Sequence, residues 1–234
     1  GFKKLPQGAY LKLDIKNDEW VKDSEVIKQY WSMENIAKSG KRIKNSLTDK
    51  ANIEKLDTLL SKSIKNQMIS DVPLGAFLSG GIDSSLTVAL MQKQSNRKVK
   101  TFTIGFNDKN YNEAEYAKAV ASHIGTDHTE LYITPEQAIS IISKLPKIYD
   151  EPFADSSQIP TFLVSEVARK NVTVSLSGDG GDELFGGYNR YFLANKLWKR
   201  LNKIPLFLRR FLAQFIRMIS PKKWNLLLNF LFSL

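Results

Sequence analysis

Apolar side chains recur every three or four positions between residues 46 and 70, at Ile53, Leu56, Leu60, Ile64 and Met68. One face of a helix collects such a stripe, and Ser46 or Thr48 stands where a helix N-cap is needed. Beyond residue 70 the pattern changes to short, unbroken apolar runs. These are Leu74–Leu78 and VTVSLSG (172–178), predicted to be buried strands, with VKTFTIGF (99–106) and HTELYI (128–133) predicted as strands between them. Helical patterns fill the gaps. One begins near Asp83. A second, NEAEYAKAVASHIG, ends at Gly125. A third, PEQAISIISKLPKIY, has Pro135 in its first turn, and a fourth is IPTFLVSEVARK. Ahead of residue 46 the signals are weaker. LPQGAYLKLDI alternates after a turn at Pro6–Gly8 and predicts a short strand. EVIKQYWSM shows no clear period, and SGKRIKNSLTDK is polar and loop-like.

Strands alternating with helices of this length imply βαβ units, right-handed crossovers and a twisted parallel sheet covered on both faces, so the fold class is α/β. Three regions follow. Residues 1–48 form an approach segment, 49–192 the α/β domain, and 193–234 a helical tail. In such sheets ligands bind at the carboxyl ends of the strands, and two glycine-rich turns fall there.

Composition narrows the chemistry. The 234 residues are 42% hydrophobic and 25% charged, an ordinary globular balance. The chain has no Cys, which excludes disulfides, thiolate-held metals and a thiol nucleophile. It has two His, at 123 and 128, which leaves little for a histidine metal site. The net charge of +10 is unevenly placed: all ten Lys and Arg of its excess lie after Glu183, where there is no acid. An appended basic, apolar segment fits this better than a diffuse nucleic-acid surface. No signal-peptide pattern opens the chain, and WNLLLNFLFSL is too short to span a bilayer. The expected location is cytoplasmic. The start at Gly1 and the abrupt apolar end point to a piece of a longer chain.

The first glycine-rich turn is SGGIDSS (79–85), between a strand and a helix. Gly80 and Gly81 admit close approach of a ligand to the backbone. Ser79, Ser84 and Ser85 supply hydroxyls, and the helix start offers N–H groups and the positive end of its dipole. Together these suit phosphate oxygens. The loop lacks the GK[ST] of the triphosphate P-loop and the GxGxxG spacing of dinucleotide folds. Asp83 repels a bare phosphate, so a bridging Mg2+ is the natural reading. The competing reading is a plain Gly-Gly turn capped by Ser and Asp. The second turn is SGDGGDELFGGY (177–188), with five Gly and three carboxylates. Asp179 and Asp182 suit either a metal or acid–base work; the alternative is a tight turn with solvated acids.

These two strings, in this order with βα units between them, resemble the synthetase domain of the glutamine-dependent asparagine synthetases. That domain belongs to the ATP pyrophosphatase (PP-loop) group, with an adenine-nucleotide-alpha-hydrolase-like fold and the mark SGGxDS. TFTIGF, EAEYAKAVASHIGTDHTE, DEPFADSSQIPTFLVSEVA and LPQGAYL…YW fit the family too, so the resemblance covers about residues 1–192. SGGxDS alone leaves several PP-loop enzymes open, whereas LSGDGGDELFGGYNRY is specific to the asparagine synthetase branch. The resemblance implies that Ser79, Gly80, Gly81, Asp83 and Ser84 hold the pyrophosphate end of ATP. It implies that Leu78 and Ile104, at two strand ends, contact the adenosine, that Ser177 and Gly178 line the nucleotide site, and that Asp83 and Asp182 bind Mg2+. Asp179 falls where several members carry a Glu that acts as base on ammonia. The implied reaction activates the side-chain carboxylate of aspartate as an acyl adenylate, with release of pyrophosphate. Ammonia then displaces AMP to give asparagine.

Family members carry a glutaminase domain with an N-terminal Cys; this chain has no Cys and starts with Gly, so either that domain was removed or ammonia comes from elsewhere. A homodimer is the expectation for the full-length protein. Three rival functions stay open: a related lactam-forming or amidotransferase enzyme acting on another carboxylate, a tRNA-modifying PP-loop enzyme, and a non-catalytic ATP-binding fragment. No nucleic acid and no membrane are expected as partners, and the tail is read as helices that pack against further synthetase structure. Arg190 and Tyr191 stand either near ligand or on the solvated surface. His123 and His128 are read as packing or surface residues. DEPFADSS (150–157) is open between a substrate-side loop and ordinary loop acids.

Overall fold

The computed structural model describes residues 3–16, 19–20, 26–43, 46–106, 112–152 and 154–232. The chain divides into two compact units, Gly1–Thr58 and Leu59–Leu234, the division falling within helix α2 (Asp49–Gln67).

In the first unit β1 (Ala9–Lys12) pairs antiparallel with β4 (Val26–Gln29), and β2 (Ile15–Lys16) with β3 (Glu19–Trp20). Gly8 sits at φ 63°, and its carbonyl accepts from the N–H groups of Tyr30 (2.8 Å) and Trp31 (3.1 Å). Any side chain at this position would run into the Trp31 carbonyl. Helix α1 (Met33–Arg42) starts at Ser32, whose Oγ accepts from the Asn35 N–H. Two sequence expectations need correcting here. EVIKQYWSM contains strand β4, and SGKRIKNSLTDK opens inside α1 rather than in a loop. Every residue of β4 is exposed, so no buried face marks it in the chain, and the apolar stripe of α1, at Met33, Ile36 and Ala37, spans little more than one turn and buries none of its residues.

α2 begins where Thr48 caps it: Thr48 Oγ1 accepts from the Ala51 N–H at 3.3 Å. Of its apolar stripe, Ile64 is buried, and Leu60 and Met68 pack beside it. The second unit is built on β5 (Leu74–Phe77), β6 (Lys100–Phe106), β7 (Asp127–Ile133) and β8 (Val174–Leu176), all parallel, in the spatial order β7-β6-β5-β8. The connecting helices are α3 (Ile82–Gln94), α4 (Ala114–Ile124), α5 (Pro135–Ile141), α6 (Leu145–Ile148) and α7 (Gln158–Arg169). The parallel α/β class is as the sequence implied. Residues 135–149, expected as one helix, are broken into α5, a 3₁₀ turn and α6. Pro146 causes the break, because it has no N–H to continue the ladder and its ring crowds the preceding turn.

Side-chain alternation along the strands fills both faces. On one, Ala76 and Leu78 pack with Val88, Leu90 and Met91 of α3, with Ala117 and Ala121 of α4, and with Ile64. On the other, Phe102 packs with Val164, Val167 and Ala168 of α7. β5 is a central strand where space is short. A Cβ on Gly75 would lie 2.8 Å from both the Lys100 carbonyl oxygen and the Phe102 ring. From β5 the chain steps outward to β6 and β7, then returns to place β8 on the other side of β5. The switch point of this doubly wound sheet, where ligands bind, therefore lies between β5 and β8.

After the sheet come α8 (Gly181–Phe185), α9 (Asn189–Leu201), α10 (Leu206–Met218) and α11 (Pro221–Phe232). No residue of α9 or α10 is buried. Among the described residues no helix is long and apolar enough to cross a membrane.

Of the two histidines, His128 is built into the sheet. It pairs in register with Thr101, whose Oγ1 lies 2.8 Å from His128 Nδ1 and 2.9 Å from Thr126 Oγ1. His128 Nε2 is buried with no hydrogen-bond partner among the described residues. Burial lowers the pKa of the ring, with Glu130 opposing and Lys118 assisting.

Two outcomes follow from this packing. Phe102→Ala is expected to lower stability by about 3–5 kcal/mol in urea unfolding, whereas Phe207→Ala, in an exposed position, changes it by no more than about 0.5 kcal/mol. Because the folded chain disfavours the charged His128 ring, the unfolded chain takes up more protons. Stability attributable to this residue is whole above the ordinary histidine pKa of about 6.5. It falls with pH below that value, and levels off beneath the lowered folded pKa. In thermal unfolding between pH 8 and 5, His128→Gln should flatten the slope in the acid half.

Candidate functional site

The first glycine-rich turn leaves β5 and enters α3. Gly80 has φ 78°, and a Cβ there would meet the Ala117 nitrogen and Tyr116 Cβ, both at 2.7 Å. The first turn of α4 is thus pressed against this glycine. The loop is tied to itself by two serines. The Ser79 N–H donates to Ser84 Oγ (3.2 Å), the two hydroxyl oxygens lie 3.0 Å apart, and Ser84 Oγ donates to the Gly81 carbonyl (3.3 Å). The Gly81 N–H in turn donates to Ser79 Oγ at 3.3 Å. Ser84 is buried, Asp83 half-buried, and Ser79 exposed. Gly81 caps α3 without a side chain, so the first N–H groups of the helix have no intrahelical acceptor. They offer a positive end to an anion.

The second turn leaves β8. Ser177 Oγ donates to Asp179 Oδ2 (3.0 Å), and the Asp179 N–H donates back to Ser177 Oγ (3.4 Å). Gly180 (φ 89°) caps α8 and Gly186 (φ 70°) ends it, both in the left-handed region that favours glycine. The Gly187 N–H donates to the Asp182 carbonyl at 3.0 Å, and the Asp182 carboxylate lies against Gly187 so closely that no side chain fits there.

The two turns meet. A Cβ on Gly178 would stand 2.7 Å from the Ser84 nitrogen and 2.9 Å from the Asp83 carbonyl carbon. A Cβ on Gly181 would overlap the Asp83 carboxylate. Backbone of the second turn is therefore packed on the first peptides of α3. Gly178, Gly181, Asp83 and Ser84 form one wall.

The other residues singled out from the sequence are not part of this wall. Leu78 donates its N–H to the Phe102 carbonyl (3.0 Å), and its side chain is buried in the core on the α3 face, leaving backbone as its contribution to the rim. Ile104 is not at a strand end, since β6 continues to Phe106. Its side chain packs on the α7 face, between Phe102 and the Ile133–Leu163 cluster. Arg190 turns toward its neighbours: its guanidinium lies 4.0 Å from the centre of the Tyr188 ring and 5.7 Å from that of Tyr191. The Tyr188 hydroxyl donates to Glu183 Oε1 at 2.7 Å. This bond holds the Glu183 carboxyl below the usual carboxylate range and pushes the phenol up to about 12. The sequence singled out neither Glu183 nor Tyr188, and the five-residue spacing between them follows no helix or strand period. An apolar groove lined by Leu86, Ala89, Val120 and Ile124 lies between α3 and α4. Ser85 and His123 also line it, but its surface is mostly apolar and carries no carboxylate, so the candidate site is placed at the turns.

A doubly wound sheet with two glycine-rich turns joined at its switch point defines the class of α/β domains that take a ligand at that crevice. The family model for asparagine synthase matches residues 55–231, and the chain belongs to that family. A Methanocaldococcus jannaschii protein with an asparagine synthetase name is 48% identical over 158 residues, 67% of this chain and 30% of the relative. Glutamine-hydrolysing asparagine synthetase 1 of Bacillus subtilis is 42% identical over 64% of this chain and 23% of its own length. Asparagine synthetase B of Escherichia coli is 31% identical over 80% and 34% respectively. The chain thus spans about a quarter to a third of the length of these curated relatives. Among solved structures, an NH3-dependent NAD synthetase from Campylobacter jejuni covers 78% of this chain and 93% of its own, with 19% identity and a TM-score of 0.40. So slight a likeness carries no argument.

The wall at Gly178 leaves no room for a methyl group against backbone. Gly178→Ala should destabilise the chain by about 1–3 kcal/mol in urea unfolding. Gly40→Ala, in a helix with open space around the added carbon, should stabilise α1, seen as a gain in helical circular dichroism.

Proposed function

We propose that this chain is the ATP-using, amide-forming part of a glutamine-dependent asparagine synthetase. The observation that carries the reading is the contact of Gly178 and Gly181 with Asp83 and Ser84, which joins the two family motifs into one anion-facing wall. Ser79, Gly80, Gly81, Asp83 and Ser84 hold the pyrophosphate end of ATP, chiefly through the main-chain N–H groups of Gly80, Asp83 and Ser84, since the serine hydroxyls and the N–H groups of Ser79 and Gly81 are engaged in closing the loop. Ser177 and Gly178 line the nucleotide, and Leu78 and Ile104 border the adenosine through their backbone.

Asp83 and Asp182 are the residues for Mg2+. The donor set fits, because magnesium binds through one or two carboxylates and completes its shell with water and substrate phosphate. Among the described residues no group of three or more His, Asp or Glu forms a metal centre without substrate. When bound, magnesium supplies positive charge against the departing pyrophosphate.

In the first step an oxygen of the aspartate side-chain carboxylate attacks the α-phosphorus of ATP. The bond from that phosphorus to the β-phosphate bridging oxygen breaks, giving aspartyl adenylate and pyrophosphate. N–H groups at the start of α3 are fixed before reaction and stabilise charge on the leaving group without reorganisation. In the second step ammonia attacks the acyl carbon, loses a proton to Asp179, and expels AMP to leave asparagine. The hydrogen bond from Ser177 orients the Asp179 carboxylate for that task. Ammonia comes from the glutaminase domain of a glutamine-dependent synthetase. The enzyme works in the cytoplasm, as a homodimer in its full-length form.

ATP–pyrophosphate exchange tests this reading. Exchange should require aspartate, and ammonium should convert the same mixture to asparagine and AMP. Asp83→Asn should lower the exchange rate by about 10²–10³-fold. Exchange without aspartate, or tight ATP binding with no exchange, overturns the reading.

A further inference from the structure

α8 is a five-residue helix, far below the length at which a helix persists alone. None of its residues is buried, and its two large apolar side chains, Leu184 and Phe185, are 65% and 58% exposed. Glycines in the left-handed region stand at both ends, so the flanking backbone is easily rearranged. Yet this turn sets Gly181 on the Asp83 carboxylate and carries Asp182. Core packing does not hold it there. The side-chain bonds that do reach it come from the start of α9, a helix of thirteen residues. Tyr188 donates its hydroxyl to Glu183, one residue beyond Asp182, at 2.7 Å. Arg190 covers the Tyr188 ring at 4.0 Å, and the Tyr191 ring meets that of Tyr188 edge-on at 5.5 Å between centres. Tyr188 at the cap of α9, with Arg190 and Tyr191 of its first turn, thus forms a bracket, with the phenol as its pin.

We infer that Tyr188 and Arg190 are positioning residues that hold the α8 turn, and with it Asp182, against the Asp83 end of α3. The inference rests on the proposed function for what Asp182 does, but not for what holds it. Tyr188 acts through its hydroxyl. Arg190 acts through the ring, which it keeps in one orientation by cation–π contact. Breaking the bracket leaves the fold intact and loosens the carboxylate. Its effect is then on how much Mg2+ the site needs, not on nucleotide affinity once magnesium is saturating.

Two measurements on the full chain test this. Without ligand, amide hydrogen exchange by mass spectrometry across residues 178–187 should be about fivefold faster in Tyr188→Phe, the scale of one lost hydrogen bond. Arg190→Gln should show a smaller change of the same sign. Glu183→Gln, which keeps an acceptor for the phenol, should stay within about twofold of the parent chain. With α,β-methylene ATP as probe, Tyr188→Phe should raise the Mg2+ concentration for half-maximal binding about fivefold. Affinity at saturating Mg2+ and the thermal midpoint should not change. Unchanged exchange in Tyr188→Phe overturns the inference. So does faster exchange with an unshifted Mg2+ requirement. A parent chain that binds no nucleotide at any Mg2+ concentration overturns the proposed function instead, and hydrogen exchange alone then decides whether the bracket holds the turn.

Discussion

Close contact between two pieces of main chain governs the candidate site. Gly178 and Gly181 rest on the peptides and carboxylate that begin α3, at separations no side chain would allow. Everything else at the rim is arranged around that contact. The serine hydroxyls of the first turn, with the N–H groups of Ser79 and Gly81, are spent on holding its shape, which leaves the N–H groups at the start of α3 as the surface offered to a ligand. Such a surface recognises charge and curvature rather than a particular side-chain pattern. It suits phosphate, and it explains why glycine occupies positions where a methyl group would already be too large.

The sheet supplies the precision this contact needs. β5 is packed on both faces, by α3 and α4 on one and α7 on the other, and its Gly75 touches both the Lys100 backbone and the Phe102 ring. Dense packing of this kind permits few rearrangements, so the carboxyl ends of β5 and β8 are fixed relative to each other by their parallel register. The site is therefore as rigid as the core beneath its first turn. The second turn, with no core of its own, depends on glycines and on the Tyr188 bracket.

Much of this was legible in the chain. Strands β5 and β6 and helices α3, α4 and α7 are buried on at least one side, so their apolar patterns record them. The glycine-rich turns stand out because glycine and acid together are poor choices for an ordinary strand end. Illegible elements have physical reasons too. β4 buries nothing, so no buried face marks it, and the apolar stripe of α1 is little more than one turn long. Pairing order is absent from periodicity, and so the neighbouring of β5 and β8, which sets the switch point, emerged only in three dimensions. Ile104 comes to a strand end only through the family resemblance, since the run VKTFTIGF itself continues to Phe106, as β6 does. The Tyr188–Glu183 bond joins a short helix to the cap of the next one, a relation with no sequence period.

The strand order also bears on how the molecule comes into being. β8 is the last strand made, yet it lies beside β5, the first of the sheet. Pairs β5–β6 and β6–β7 close over short crossovers, while β5–β8 joins segments from distant parts of the chain. Closing so long a loop is entropically unfavourable and slow. During synthesis the first glycine turn and its helix emerge early, and they wait without their partner until residues past 178 leave the ribosome. Assembly of the anion-facing wall thus coincides with completion of the sheet, and a half-made chain holds only half of the grip.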